Sequence, residues 1–188
     1  MRSLPFALLT LLLFVSLSSR VFAQDALKPR PSPMYVATVK YQDDEKDKIT
    51  YVKVTYCRPH KNGREIFGDD EKALVKYGEV WRTGANEATE ITFTKDIKVG
   101  GKKLKAGTYT IFTIPNKDKW TVIFNSELGQ WGAYSYDAKK DILHIDAKVE
   151  KTEEVYEPFT IEFELNDNIA NMVFLWDTTK ASFPLEFY

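Results

Sequence analysis

The chain has 188 residues, 44% of them hydrophobic and 14% aromatic, with a formal net charge of −1. So even a balance gives no support to nucleic-acid binding or to docking on an anionic membrane, which need a concentrated basic face. A single cysteine excludes an internal disulfide, and the length suits one domain around one core.

The first residues read as a secretory signal. Arg2 gives a short basic start, and an apolar run from Leu4 to Val15 is broken only by Pro5 and Thr10. Val21-Phe22-Ala23 then sets small or aliphatic residues before Gln24. The run is about twelve residues, short of the roughly 20 that a spanning helix needs. Ser16, Ser18, Ser19 and Arg20 end it, and no cysteine follows to accept a lipid. Cleavage after Ala23 is expected, giving a periplasmic or secreted product. Losing Arg2 and Arg20, and no acid, takes the formal charge from −1 to −3. No later stretch is long and apolar enough to span a bilayer. The expected organisation is a signal over 1–23, a Pro-rich arm over 24–33 and a single domain over 34–188.

Beyond the arm, period two dominates. Residues 34–41 and 49–57 read as strands joined by the acidic run 43–48. In the second, Val52, Val54 and Tyr56 share one face while Tyr51, Lys53, Thr55 and Cys57 share the other. Residues 69–76 read as one short helix, capped by Asp69 or Asp70, anchored by Leu74 and Val75 and stopped by Gly78. Strands are then expected over 89–95, and over 97–99 turning through Gly100-Gly101 into 102–104. Those over 108–114 and 120–125 are linked by the turn residues Pro115-Asn116-Lys117-Asp118. Segments 142–149, 155–165, 169–176 and 182–187 complete the set. About ten close-spaced strands with little helix predict an all-β fold, an antiparallel β-sandwich of jelly-roll type with one short helix. A curled barrel is the alternative.

Several strings occur together: Thr55-Tyr56-Cys57-Arg58-Pro59, Gly63-Arg64-Glu65-Ile66-Phe67-Gly68, and above all Trp81-Arg82-Thr83-Gly84-Ala85-Asn86-Glu87 after Gly78-Glu79-Val80. Ala106 to Pro115, Trp120 to Asn125 and Gln130-Trp131-Gly132-Ala133-Tyr134 fit the same pattern. The combination resembles the domain of unknown function 2911 family, found mostly in exported proteins of Bacteroidetes and their relatives, from about Ser32 to about Leu165. The resemblance implies export and a β-rich fold, and brings no activity, cofactor or catalytic residue. Where the family often has Ser, this chain has Cys57, so no reactive role for that thiol is implied.

The segment from Trp81 to Thr89 does not alternate, and it gathers the chemistry. Arg82 can fork two hydrogen bonds onto a carboxylate or phosphate. Asn86 both donates and accepts, Glu87 carries charge, and Trp81 offers a flat apolar face. Arg58 and Arg64 sit around a turn containing Pro59 and Gly63, and Gln130 with Trp131 forms a second amide–aromatic pair. Gathered at one end of the fold, these eight residues would line a polar pocket for a sugar or an anion. The bland alternative is scaffolding: Trp81 in the core, Arg82 paired with Glu87, and Asn86 bridging loop backbone. A third reading is a hydrolase or isomerase using Glu87 with an arginine. A fourth is a structural or envelope-interaction protein with no small-molecule site. No nucleophile elbow, phosphate loop or dinucleotide fingerprint is present. His60 and His144 are the only histidines, with no partner spaced for zinc. Neither a metal nor a cofactor is expected.

Overall fold

The computed structural model describes residues 30–43 and 49–188. The predicted signal, the arm before Arg30 and residues 44–48 of the acidic connection lie outside the described residues.

Alternation in the sequence becomes pairing in space. Strands β1 (Met34–Gln42) and β2 (Ile49–Cys57) pair antiparallel without interruption, from Met34 opposite Cys57 to Gln42 opposite Ile49. Val52, Val54 and Tyr56 are buried as expected, while Tyr51 and Lys53 face solvent. After the short β3 (Phe67–Gly68) and β4 (Val75–Lys76) come β5 (Thr89–Phe93), β6 (Ile97–Val99) and β7 (Lys102–Leu104). Then follow β8 (Gly107–Ile114), β9 (Lys119–Asn125), β10 (Asp141–Asn166) and β11 (Ile169–Glu186). Nine of these form one sheet in the order β1-β2-β5-β8-β9-β10-β11-β6-β7, and its pairings are antiparallel. The fold is all-β.

The layers come from bending that one sheet. Segments 142–149 and 155–165, expected as separate strands, run together as β10, and 169–176 and 182–187 run together as β11. No turn separates 149 from 155. Instead the register slips between Lys151 and Tyr156 and again before Thr160, so bulges supply the bend. The first half of β10 pairs with β9 and most of the rest with β11. The sheet curls until its far parts meet: Tyr41 of β1 stacks on Phe187 at 5.0 Å, and the Tyr56 hydroxyl accepts from the Ile161 amide at 3.1 Å. Inside lies one apolar cluster dominated by Trp81, Trp120, Trp176, Phe159 and Phe174.

The helix expected over 69–76 is absent. Asp70 does cap: its Oδ1 accepts from the amides of Lys72 (2.8 Å) and Ala73 (3.2 Å). The next amides go elsewhere, Leu74 to Glu65 O (3.1 Å) and Val75 to Ile66 O (2.8 Å), which sets β4 parallel to β3. Ala73 and Val75 bury while Leu74 stays exposed, a period of two that suits a strand and not a helix. The one helical element among the described residues is a 3-10 turn at Ala138–Lys140, capped by Asp137. No helix among them is long and apolar enough to cross a membrane.

Candidate functional site

The loop from Trp81 to Thr89 is held by its backbone before any side chain acts. Trp81 and Thr113 exchange both main-chain hydrogen bonds (2.7 and 2.9 Å), which places the indole in the core, where its Nε1 donates to Gly84 O at 3.1 Å. Thr83 and Asn86 then take positive φ values of 55° and 56°, rare for residues with a side chain and unfavourable for β-branched Thr83. Buried hydrogen bonds hold that strain: Thr83 Oγ1 meets Thr113 Oγ1 at 3.1 Å, and Thr89 Oγ1 donates to Thr83 O at 2.6 Å. Between them Gly84 lies against β2 so closely that a Cβ there would sit 2.9 Å from Cys57 O.

These turns send Arg82 and Glu87 to different surfaces, and they do not pair with each other. On one surface, the amide of Ala88 donates to Gln130 O and that of Gly132 to Asn86 O, both at 2.9 Å. Glu87 and Trp131 are thereby bridged as a pair without hydrogen bonds of its own, the closer-set kind in an antiparallel ladder. Arg30 from the arm lies over both. Its Nη2 donates to Glu87 Oε1 at 2.7 Å, and its guanidinium carbon stands 5.9 Å from the Trp131 ring centre. Asn86 Nδ2 holds the arm again at Ser32 O, 3.1 Å away. The other Glu87 oxygen accepts from the Cys57 thiol at 3.2 Å. The Arg30 hydrogen bond above all holds the Glu87 carboxyl below its usual range. Burial, then the hydrogen bond to Glu87, pushes the Cys57 thiol up, so it stays protonated. Beneath is a cavity of about 130 Å³ lined by Met34, Tyr56, Cys57, Glu87, Ala88 and Gln130 among others. Gln130 donates to Glu127 O at 3.0 Å, while its buried Oε1 has no donor among the described residues.

On the other surface Arg82 lines a groove of about 320 Å³ with Lys76, Glu79, Val80, Trp81, Ala133 and Tyr134. Its Nε is closed off from solvent and has no acceptor, and its guanidinium forms no ion pair among the described residues.

Arg58 and Arg64 reach neither surface. Arg58 clamps the end of β2 to β10, donating to Phe159 O (3.2 Å) and Thr160 Oγ1 (2.8 Å) while lying 4.8 Å over Tyr35. Arg64 folds back on its own turn, onto Lys61 O at 3.0 Å and His60 O. The eight candidates therefore occupy three places rather than one pocket: Asn86, Glu87, Gln130 and Trp131 together, Trp81 and Arg82 together, and the two remaining arginines in backbone contacts. Arg30, Lys76 and Tyr134 are additions that the sequence reading did not make. Arg30 stood in a Pro-rich arm set apart from the domain, and Tyr134 stood in a family string without being singled out. No three His, Cys, Asp or Glu side chains gather as a metal site among the described residues; His144 meets Asp141 Oδ2 at 2.8 Å on the exposed side of β10.

A family model described as "Protein of unknown function (DUF2911)" matches residues 36–185. No curated protein and no solved structure matches the chain. The match runs further than the resemblance read from the motifs, taking in nearly all of β11. The chain belongs to the DUF2911 family.

Proposed function

We propose that this chain is an exported binding module for a small anionic ligand, held by Arg82 in the groove it shares with Lys76 and Tyr134. The observation that carries the reading is the state of Arg82. A guanidinium with a shielded N–H and no acceptor is costly unless something supplies the acceptor. The terminal N–H groups of the same guanidinium also make no hydrogen bond among the described residues, and a carboxylate or phosphate in the groove would take them, with Lys76 adding a second positive charge against Glu79 and Tyr134 an aromatic edge. The Glu87 surface suits this role less well. Its carboxylate is already engaged twice, and its cavity of about 130 Å³ falls below the roughly 300 Å³ at which small-molecule sites begin. The same engagement favours binding over a hydrolase or isomerase that would use Glu87 for proton transfer.

Calorimetry with inorganic phosphate and with acetate at low salt tests the reading. Binding by the wild type is expected to weaken at least about tenfold in Arg82→Ala, with partial recovery in Arg82→Lys and little change in melting. Equal binding by Arg82→Ala sinks the proposal, and a large loss of stability with no anion bound favours the structural reading. The export half rests on the three-part N-terminus. N-terminal sequencing of the product recovered from a periplasmic fraction or the medium should begin at Gln24; an intact Met1 would contradict it.

A further inference from the structure

A third hollow, of about 400 Å³, lies where β3 and the bends of β10 and β11 meet β9. Phe67, Tyr77 and Trp120 give it aromatic walls, and Asn116, Thr178 and Thr179 give it amide and hydroxyl groups.

Three observations set it apart. Trp120 is 1% exposed, yet its Nε1–H has no acceptor. The core indoles of Trp81 and Trp176 both donate, to Gly84 O at 3.1 Å and Glu157 O at 3.2 Å. A buried indole N–H normally finds a partner, and this one, on a residue that lines the hollow, lacks the acceptor that the other two have. The backbone beside it is also unusual. Asp177 holds a φ of 54°, and β10 slips register on both sides of Tyr156, the residue opposite it. Bulges and positive φ values of this kind re-aim side chains, here the Thr178–Thr179 pair that follows Asp177. Finally, the charges around the rim are balanced. The lining carries two cations, Lys117 and Lys151, and two anions, Glu150 and Asp177; Lys117 pairs with Asp69 at 2.9 Å, Glu150 with Lys148 at 2.7 Å and Asp177 with Lys61 at 2.8 Å. No net field selects an ion.

We propose that this hollow binds a neutral polyhydroxylated ligand of monosaccharide size. The Trp120 Nε1–H donates to a ligand oxygen, Asn116 and the two threonines exchange hydrogen bonds with hydroxyls, and Phe67 and Tyr77 meet the C–H face. The volume lies in the range of small-molecule sites, roughly 300–1,000 Å³. The site is separate from the Arg82 groove and stands or falls without it.

The test is saturation-transfer NMR followed by calorimetry, using a panel of neutral methyl glycosides of hexoses and pentoses at millimolar concentration. At least one glycoside should bind. Trp120→Phe, which keeps a ring and removes the N–H, should weaken it about tenfold, the loss of one hydrogen bond. Asn116→Ala, at the exposed rim, repeats the test without touching the core, and Arg82→Ala should bind as the wild type does. The proposal is overturned if no glycoside binds the wild type. It is equally overturned if binding ignores both Trp120→Phe and Asn116→Ala, or if it is lost in Arg82→Ala.

Discussion

Cys57 donates its thiol proton to Glu87 Oε2 at 3.2 Å, across 30 residues of sequence, while Arg30 holds the other oxygen at 2.7 Å. One carboxylate thus joins the arm, the end of β2 and the Trp81–Thr89 loop. It draws the thiol toward its protonated form and is itself kept ionised by the guanidinium.

That arrangement fixes a pH dependence. The folded pKa of Glu87 lies below its unfolded value, near 4.3 in model peptides. Its contribution is therefore complete above the unfolded value and is lost as pH falls through the folded one. Arg30 and Glu87 are 44% and 36% exposed, so solvent screening keeps the gain small. Urea unfolding of the wild type and Glu87→Gln should show a small gap at neutral pH that closes under acid and shrinks with salt. A gap that survives in acid would contradict the assignment.

The thiol itself should be inert. Cys57 is 1% exposed with its pKa raised, so a thiol reagent near pH 8 should label the native chain about 100-fold more slowly than the urea-unfolded one. Labelling at comparable rates would mean that the thiol is not covered.

Gly84→Ala should destabilise by about 2 kcal/mol or more, because the new Cβ would stand 2.9 Å from a backbone oxygen that cannot swing away. Melting of the variant reads the loss directly. An unchanged transition would show that the loop can lift off β2.

A second carboxylate offers an independent check. Asp141 accepts from the Tyr136 hydroxyl (2.6 Å), His144 Nε2 (2.8 Å) and Asn125 Nδ2 (2.8 Å). Asp141→Ala should cost about 1–3 kcal/mol, since the buried Asn125 amide and the half-buried Tyr136 hydroxyl lose their acceptor together. Burial first, then the hydrogen bond to Asp141, pushes the Tyr136 phenol well above the ordinary value near 10. In an ultraviolet titration Tyr136→Phe should remove one late-ionising tyrosine and leave the earlier ones unchanged.

The strands were legible because burial imposes period two on residues such as Val52, Val54 and Tyr56. The misread helix shows the limit of local signals. The Asp70 cap is real, but a parallel partner at Glu65 and Ile66, invisible to local patterning, claims the next amides. In the loop, the burial of Trp81 followed from an aromatic beside strands, whereas the parting of Arg82 from Glu87 did not. Positive φ at Thr83 and Asn86 separates two side chains that lie five residues apart, and nothing in their identities announces it. Arg30 was hidden for a related reason, since a proline-rich arm carries no periodicity to say where it lands.

The continuity of β10 through both layers has a kinetic consequence. The apolar faces of β2, β5, β8 and β9 stay uncovered until β10 and β11, the last strands in chain order, come to lie across them. Closure then depends on contacts such as Tyr56 with Ile161 and Tyr41 with Phe187, which span over a hundred residues. Such distant pairings make for slow folding. A chain threaded N-terminus first through a narrow channel would remain loose for most of the passage and lock only as its final strands emerge.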